Sequence, residues 1–380
     1  MKRFLLALLL CGAAAQAATF KVVLLAPADD GRLTRTKLER AVPGHATGPA
    51  ADALKVALAE GQLELDGAGA KLELNLVPVA DGNAAGAAAA AAEKAGAAAI
   101  VADLPAPWLL AAADAAPKLP LLNTSAAADV LREAQCRRNL YHLAPSERMK
   151  ADALAQALVA RRWSRVLLLA GPGDAVRSAT VQASLKRYGL KLVAGRPFKL
   201  SADPRERELA NTRLLTQGEY DVVWVVDGDG EFALSLPYRT ALPRPVVGDA
   251  GLVALAWSAK FERYGAPQVT RRLAKGAGRP MAAHDWPAWM AGKALVSAAV
   301  AAAKGPAAAF GRALTAAELD GSKGVVMGFR PWDGQLRQPL LLATSDAVVE
   351  TAPGDGVLHP RNALDTLGAD APEKLCPARS

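Results

Sequence analysis

A chain of 380 residues, 52% hydrophobic and 22% charged, has a globular composition and the length for two or three domains' worth of core. Its 45 Lys and Arg against 37 Asp and Glu give a formal charge of +8. That excess is scattered, with Arg137-Arg138, Arg161-Arg162 and Arg271-Arg272 as isolated pairs without interleaved aromatics, which excludes a basic stripe for nucleic acid.

Met1 to Ala17 carries Lys2-Arg3, a short apolar run from Phe4 to Leu10, and the small-x-small triplet Ala15-Gln16-Ala17 before Ala18. This is the layout of a cleaved signal peptide, so the mature chain is expected in a bacterial periplasm. A membrane anchor would need about 20 apolar residues. A lipoprotein would need a small residue before Cys11, where Leu10 stands. No apolar run after the signal is long enough to span a membrane. The mature chain keeps Cys136 and Cys376. An even count in an oxidising compartment suggests one disulfide tying the tail to the middle of the chain, with two separate thiols as the alternative.

Short β-rich runs then alternate with helical ones. Lys21 to Ala26 reads as a buried strand, Asp52 to Glu60 as a helix, and Lys71 to Val77 as a strand covered on one face. Helix follows over Ala84 to Ala95, strand over Ala98 to Ala102, helix over Leu109 to Ala115 and strand over Leu119 to Leu122. The series restarts near Tyr141 to Pro145. Ser146 can cap a helix from Arg148 to Ala160, and Arg165 to Ala170 is a buried strand. A helix from Asp174 to Tyr188, a strand from Leu190 to Val193, a helix from Pro204 to Leu215 and a strand from Asp221 to Val226 come next. Val246 to Asp249 is a short strand and turn, and Trp286 to Lys304 a long helix. Repeated β-α units of this kind predict an α/β fold of two Rossmann-like lobes, each a parallel sheet flanked by helices. Ligands of such sheets gather at the carboxyl ends of the strands.

Gly171-Pro172-Gly173-Asp174 sits between a strand and a helix, but Val176 occupies the third glycine position of a dinucleotide loop and no acid ends the next strand; a tight turn is the better reading. The chain has no G-x-S-x-G elbow, HExxH helix, CxxC pair or Walker loop. Its four histidines, His45, His142, His284 and His359, are far apart. No catalytic constellation is legible. Asp227-Gly228-Asp229-Gly230-Glu231 offers three alternating carboxylates at a strand end, a hard-cation donor set. It lacks the rest of a calcium loop, so a cleft-bordering loop without metal is the alternative. Asp285 can cap the long helix, while Trp286 and Trp108 either wall a ligand or fill core.

The order of these elements, with a return near Gly248 to Gly251 and the segment Asp320 to Gly324, resembles the type I periplasmic substrate-binding proteins of ABC transporters, branched-chain amino-acid class. Leu131-Arg132 with Cys136-Arg137, Ala144-Pro145-Ser146, the run from Phe329 to Pro339 and that from Leu364 to Gly368 are similar to a subfamily associated with PQQ-dependent alcohol dehydrogenase systems. The resemblance implies lobe 1 over 18–143 and 250–325, and lobe 2 over 144–249 and 326–380. It implies a non-enzymatic monomer without cofactor that captures a small solute or ion between the lobes and delivers it to a membrane permease. The expected ligand residues are Asp103, Trp108, Ser125, Asp285 and Trp286 from the first lobe. Asp227, Asp229 and Tyr238 come from the second, and Asp249 sits near a crossover. Amino-acid binders of the class place hydroxyls in two strand-end loops; here the first loop, Ala102 to Pro107, has none and adds Asp103, expected to repel a ligand carboxylate. Two ligand classes follow, an organic compound tied to alcohol oxidation and a metal ion (calcium or a lanthanide) held by Asp227, Asp229 and Glu231. A sensor or assembly partner with the same fold is the other reading.

Overall fold

The computed structural model describes residues 17–34, 44–306 and 308–379, so the signal-peptide reading lies outside the described residues except for Ala17. The first unit contains β1 (Ala18–Pro27), α1 (Ala50–Glu60), α2 (Gln62–Ala68), β2 (Ala70–Val79), α3 (Gly82–Lys94), β3 (Ala99–Ala102), α4 (Ala106–Ala115), β4 (Leu121–Asn123) and β5 (Leu140–His142). The second contains α5 (Glu147–Ala160), β6 (Arg165–Ala170), α6 (Ala175–Arg187), β7 (Lys191–Pro197), α7 (Thr212–Leu215), β8 (Val222–Val226) and β9 (Val246–Gly248). β10 (Val253–Leu255), α8 (Ala266–Ala277), α9 (Asp285–Ala302), α10 (Ala308–Thr315), β11 (Leu319–Asp320), β12 (Val326–Met327), β13 (Leu340–Ala343) and β14 (Val348–Ala352) follow.

Two parallel sheets result, ordered β2-β1-β3-β4-β5 and β7-β6-β8-β9. Val22 to Leu25, β3 and β8 are buried throughout, because helices cover both faces; this is why they read as unbroken apolar runs. α1 and α9 pack on one face of the first sheet, α3 and α4 on the other. Gly292 permits the α1–α9 contact, since a Cβ there would lie 2.5 Å from Ala57 Cβ. The second sheet carries Met149, Leu154, Val181 and Leu185 of α5 and α6 on one face and Phe198, Phe232 and Leu236 on the other.

The chain crosses between the two cores three times. Leu143 belongs to the first core and Met149 to the second; Ala254 to the second and Ala256 to the first; Leu336 to the first and Leu340 and Leu342 to the second, with Leu341 of the same strand still turned to the first. The second and third crossings thus fall beyond the expected 249–250 and 325–326. β10 pairs antiparallel with β13, while Leu319, Met327 and Leu336 still belong to the first core. The crossings are tied together by side chains. Gln335 Nε2 donates to the carbonyls of His142 and Ala144 at 3.1 and 3.2 Å, Gln338 Nε2 to that of Leu143 at 2.7 Å, and Arg132 to Ala144 O and Gln335 Oε1. Arg330 reaches Asp365 and the carbonyls of Leu364 and Leu367. Arg132, the run from Phe329 to Pro339 and that from Leu364 to Gly368 therefore converge near the crossings.

Cys136 and Cys376 form a disulfide. The tail beside it is held to the edge of the first sheet by Arg379 donating to Leu140 O and by Arg138 donating to Ala378 O. The expected helix over Pro204 to Leu215 is instead a 3-10 segment, Pro204–Ala210, followed by α7. Pro204 to Ala210 buries nothing, so no apolar face favours helix, and Asn211 turns extended to cap α7 with its side chain. Among the described residues no helix is long and apolar enough to cross a membrane.

Candidate functional site

The carboxyl ends of the two sheets face a cleft of about 300 Å³. Its first-lobe wall is Thr124, Ser125 and Ala127 after β4, with His45, His284 and Pro287. Its second-lobe wall is Glu147 and Lys150 of α5, Arg177 of α6, Asp227 and Gly228 after β8, and Asp249 after β9. Gly248, at φ +111, brings the β9 turn so close that a Cβ would lie 2.1 Å from Val225 O, which sets Asp249 beside Asp227.

The second-lobe wall is a closed set of ion pairs. Arg177 Nη2 donates to both Asp249 oxygens at 2.7 and 2.9 Å, its Nη1 to Asp174 at 3.2 Å and its Nε to Glu147 at 3.4 Å. Lys150 donates to Glu147 at 2.9 Å. Asp249 Oδ2 also accepts from Asp227 N at 2.7 Å, and Asp227 Oδ2 from Ala233 N at 2.8 Å. Burial works against every charge here. It still leaves Arg177 raised above the usual guanidinium range by Asp249 and Glu147, and Glu147 lowered by Lys150 and Arg177. Burial pushes Asp249 up against the pull of Arg177.

The first-lobe wall is built on Asn123, which is fully buried. Its Oδ1 accepts from Ser125 N and Ala126 N and its Nδ2 donates to Ala126 O, folding the loop into a turn that sets Ser125 at the cleft with Thr124 buried beside it. Thr124 Oγ1 donates to Ala102 O at 3.2 Å and Ser125 Oγ to Leu104 O at 3.4 Å. Behind them lies Asp103, only 2% exposed. Arg32 grips it bidentately at 2.8 and 3.0 Å, Asp30 steadies Arg32 at 2.7 Å, and His284 Nε2 lies 3.5 Å from Asp103 Oδ2. Burial would raise the Asp103 carboxyl, yet His284 and Arg32 hold it well below the carboxylate range. The repulsion expected of Asp103 is therefore absent: its charge is spent on Arg32, and His284 stands between it and the cleft.

Ser125, Asp227 and Asp249 line the cleft. Trp108 does not; it packs against Gly82, between α3 and α4. Asp285 is buried, holding Arg279 at 2.7 and 2.8 Å and Ala282 N at 2.7 Å. Trp286 is fully buried core, its indole donating to Gly321 O with Lys323 Nζ 3.5 Å over its ring. Tyr238 is 89% exposed on a surface 3-10 turn. Asp229 and Glu231 point to solvent while Asp227 turns inward, so the three carboxylates are not brought together. Among the described residues no three His, Cys, Asp or Glu side chains gather for a metal. Thr124, Glu147, Lys150, Arg177 and His284 also line the cleft, without a sequence motif that marks them. Glu147 and Arg177 each stand in the first turn of the helix that opens at the cleft, which was the available signal; His284 carried none beyond its neighbours.

No family model and no curated protein sequence matches the chain. Solved structures do. A branched-chain amino acid ABC transporter periplasmic ligand-binding protein from Burkholderia xenovorans superposes with TM-score 0.71 at 14% identity over 95% of this chain and 100% of its own. The leucine-, isoleucine-, valine-, threonine- and alanine-binding protein from Brucella ovis, in its closed conformation, gives 0.69 at 15% over 90% and 97%. An ABC transporter solute-binding protein from Rhodopseudomonas palustris, in complex with 3,4-dihydroxybenzoic acid, gives 0.63 at 16% over 86% and 93%. The fold is that of the two-lobed type I periplasmic binding proteins.

Proposed function

We propose that this chain is the periplasmic solute-binding component of an ABC transporter: it takes up a small solute between its lobes and presents it to a membrane permease. The observation that carries this reading is the cleft itself, about 300 Å³ at the carboxyl ends of two parallel sheets and walled by both, in a fold shared with transporter proteins that bind amino acids and aromatic acids. A solute touching Ser125 on one wall and the Arg177–Asp249 pair on the other favours the closed arrangement only through contacts with both. The link to PQQ-dependent alcohol oxidation is part of the proposal and rests on the hinge segments quoted above, not on the cleft.

The test is thermal melting of the mature chain from Ala18, stripped with chelator, against calcium, lanthanum, branched-chain amino acids, short alcohols, aldehydes, amines and carboxylates. A solute at about 100 times its Kd adds roughly 2.7 kcal/mol, a shift of a few degrees. A saturable shift with an organic solute supports the reading. A shift with metal alone replaces it with metal capture, and no shift across the panel moves the chain to sensing or assembly.

A further inference from the structure

Among the described wall side chains other than His45, the hydrogen-bonding capacity left open toward the cleft is one-sided. Ser125 directs its hydroxyl proton to the carbonyl of Leu104, so it presents oxygen lone pairs to a solute, while Thr124, bonded to Ala102 O, is only 1% exposed. Lys150 and Arg177, the two cations of the second wall, are matched by Glu147, Asp174 and Asp249. With Asp227 the carboxylates lining the cleft outnumber these cations, and an ionised carboxylate only accepts.

His284 completes the pattern. Its Nε2 is buried without a hydrogen-bond partner, 3.5 Å from Asp103 Oδ2. Asp103 is fixed as an anion by the bidentate Arg32. A bare Nε2 would set its lone pair against that carboxylate, so Nε2 carries the proton, and in the neutral ring Nδ1 is left with the lone pair. Nδ1 has no protein partner among the described residues, on a side chain that lines the cleft. The Asp103 charge, held by Arg32, thus biases the His284 tautomer and leaves Nδ1 as an acceptor.

We propose that the cleft reads hydrogen-bond donors. His284 Nδ1, with Ser125 Oγ, accepts from hydroxyl or ammonium groups of the solute, which is a small polyhydric alcohol or amine and not a simple carboxylate. This deepens the solute-binding reading and rests on it.

The test uses the mature chain at pH 8 with matched sets of diols, diamines and dicarboxylates of about three to six carbons, read by calorimetry. Diols or diamines are expected to bind saturably, with the matched dicarboxylates weaker by about a hundredfold or more. Which of the two donor sets binds distinguishes hydroxyl from ammonium. His284→Phe should weaken binding at least about tenfold, the loss of one well-made hydrogen bond. His284→Gln, which keeps an acceptor oxygen, should restore most of it. Dicarboxylates binding as well as the donors, or His284→Phe leaving affinity unchanged, overturns the proposal while the solute-binding reading stands. Silence from all three sets also overturns it, and the wider panel then decides the solute-binding reading. Independently of any solute, a long-range proton–nitrogen spectrum at pH 8 should show His284 protonated at Nε2 and bare at Nδ1; the opposite tautomer refutes the donor assignment even if the variants fail to fold.

Discussion

Asp103 shows how a single residue is misread when its partner lies far away in sequence. From the chain it is an acid in a strand-end loop; in the fold it belongs to Arg32, 71 residues earlier. Removing that partner strands a buried anion. Arg32→Ala should cost about 3 kcal/mol in urea unfolding, at the low end for a broken buried pair because Arg32 is 32% exposed; a loss under about 0.5 kcal/mol would show that Asp103 finds other compensation. His142 gives the pH dependence. It is fully buried and accepts from Asn123 Nδ2 at its Nδ1 in the neutral form, and burial, with Arg132 and Arg379 nearby, holds its pKa well below the usual 6.5. The unfolded chain then binds a proton that the folded one refuses, so its contribution is full above about pH 6.5 and is lost as pH falls below it. Unfolding free energies at pH 8 and pH 5, above the range where most carboxylates titrate, should show the lower value at pH 5.

At the level of elements, what the sequence disclosed depended on how burial was distributed. Strands buried on both faces announced themselves: β1, β3, β6 and β8 all appear within a few residues of their expected places. Ser146 caps α5 by accepting from Met149 N at 3.1 Å, as its position suggested. β10, β13 and β14, along with α2 and α8, were not foreseen. β10 is three residues long, too short to show a period, and its strand character comes from pairing with β13, some 90 residues on. The cleft side chains were hidden for a related reason. Conspicuous aromatics and acids such as Trp286 and Asp285 were absorbed by the packing of α9, whose whole first turn is buried, while Arg177 and Lys150 sit among ordinary polar helix residues. That packing can be probed directly. Gly292→Val places a branched side chain against Ala57 and Leu54 of α1 and should cost about 1–3 kcal/mol by overpacking; an unchanged denaturation midpoint would mean that α1 and α9 sit farther apart than described.

For the whole molecule, the hinge is where the described hydrogen bonds between distant segments concentrate. Arg132, Gln335 and Gln338 are buried there and donate to the carbonyls of the first crossing, while buried Arg330 donates to Asp365 and to the carbonyls of Leu364 and Leu367. Motion of the lobes must pass through backbone that these side chains already hold, which favours rotation about a defined axis over general loosening. The disulfide adds to this. Closing a loop of 240 residues contributes roughly 4–5 kcal/mol in the chain-entropy view, less where the unfolded chain keeps structure. The Cys136→Ser, Cys376→Ser double variant should therefore unfold at lower urea than the oxidised parent. An equal midpoint would place the tail's hold in Arg379 and Arg138 alone.

The same bond changes what the chain is topologically. From Cys136 to Cys376 the backbone is a covalent ring, and the entire second sheet, all three crossings and the helix that carries His284 at its mouth belong to it. A protease that cuts once within the ring, for instance in the exposed stretch 199–205, opens it without releasing a fragment. The nicked protein should run as one species on a non-reducing gel and as two after reduction. Damage in the loops of the second lobe thus leaves both walls of the cleft on one molecule.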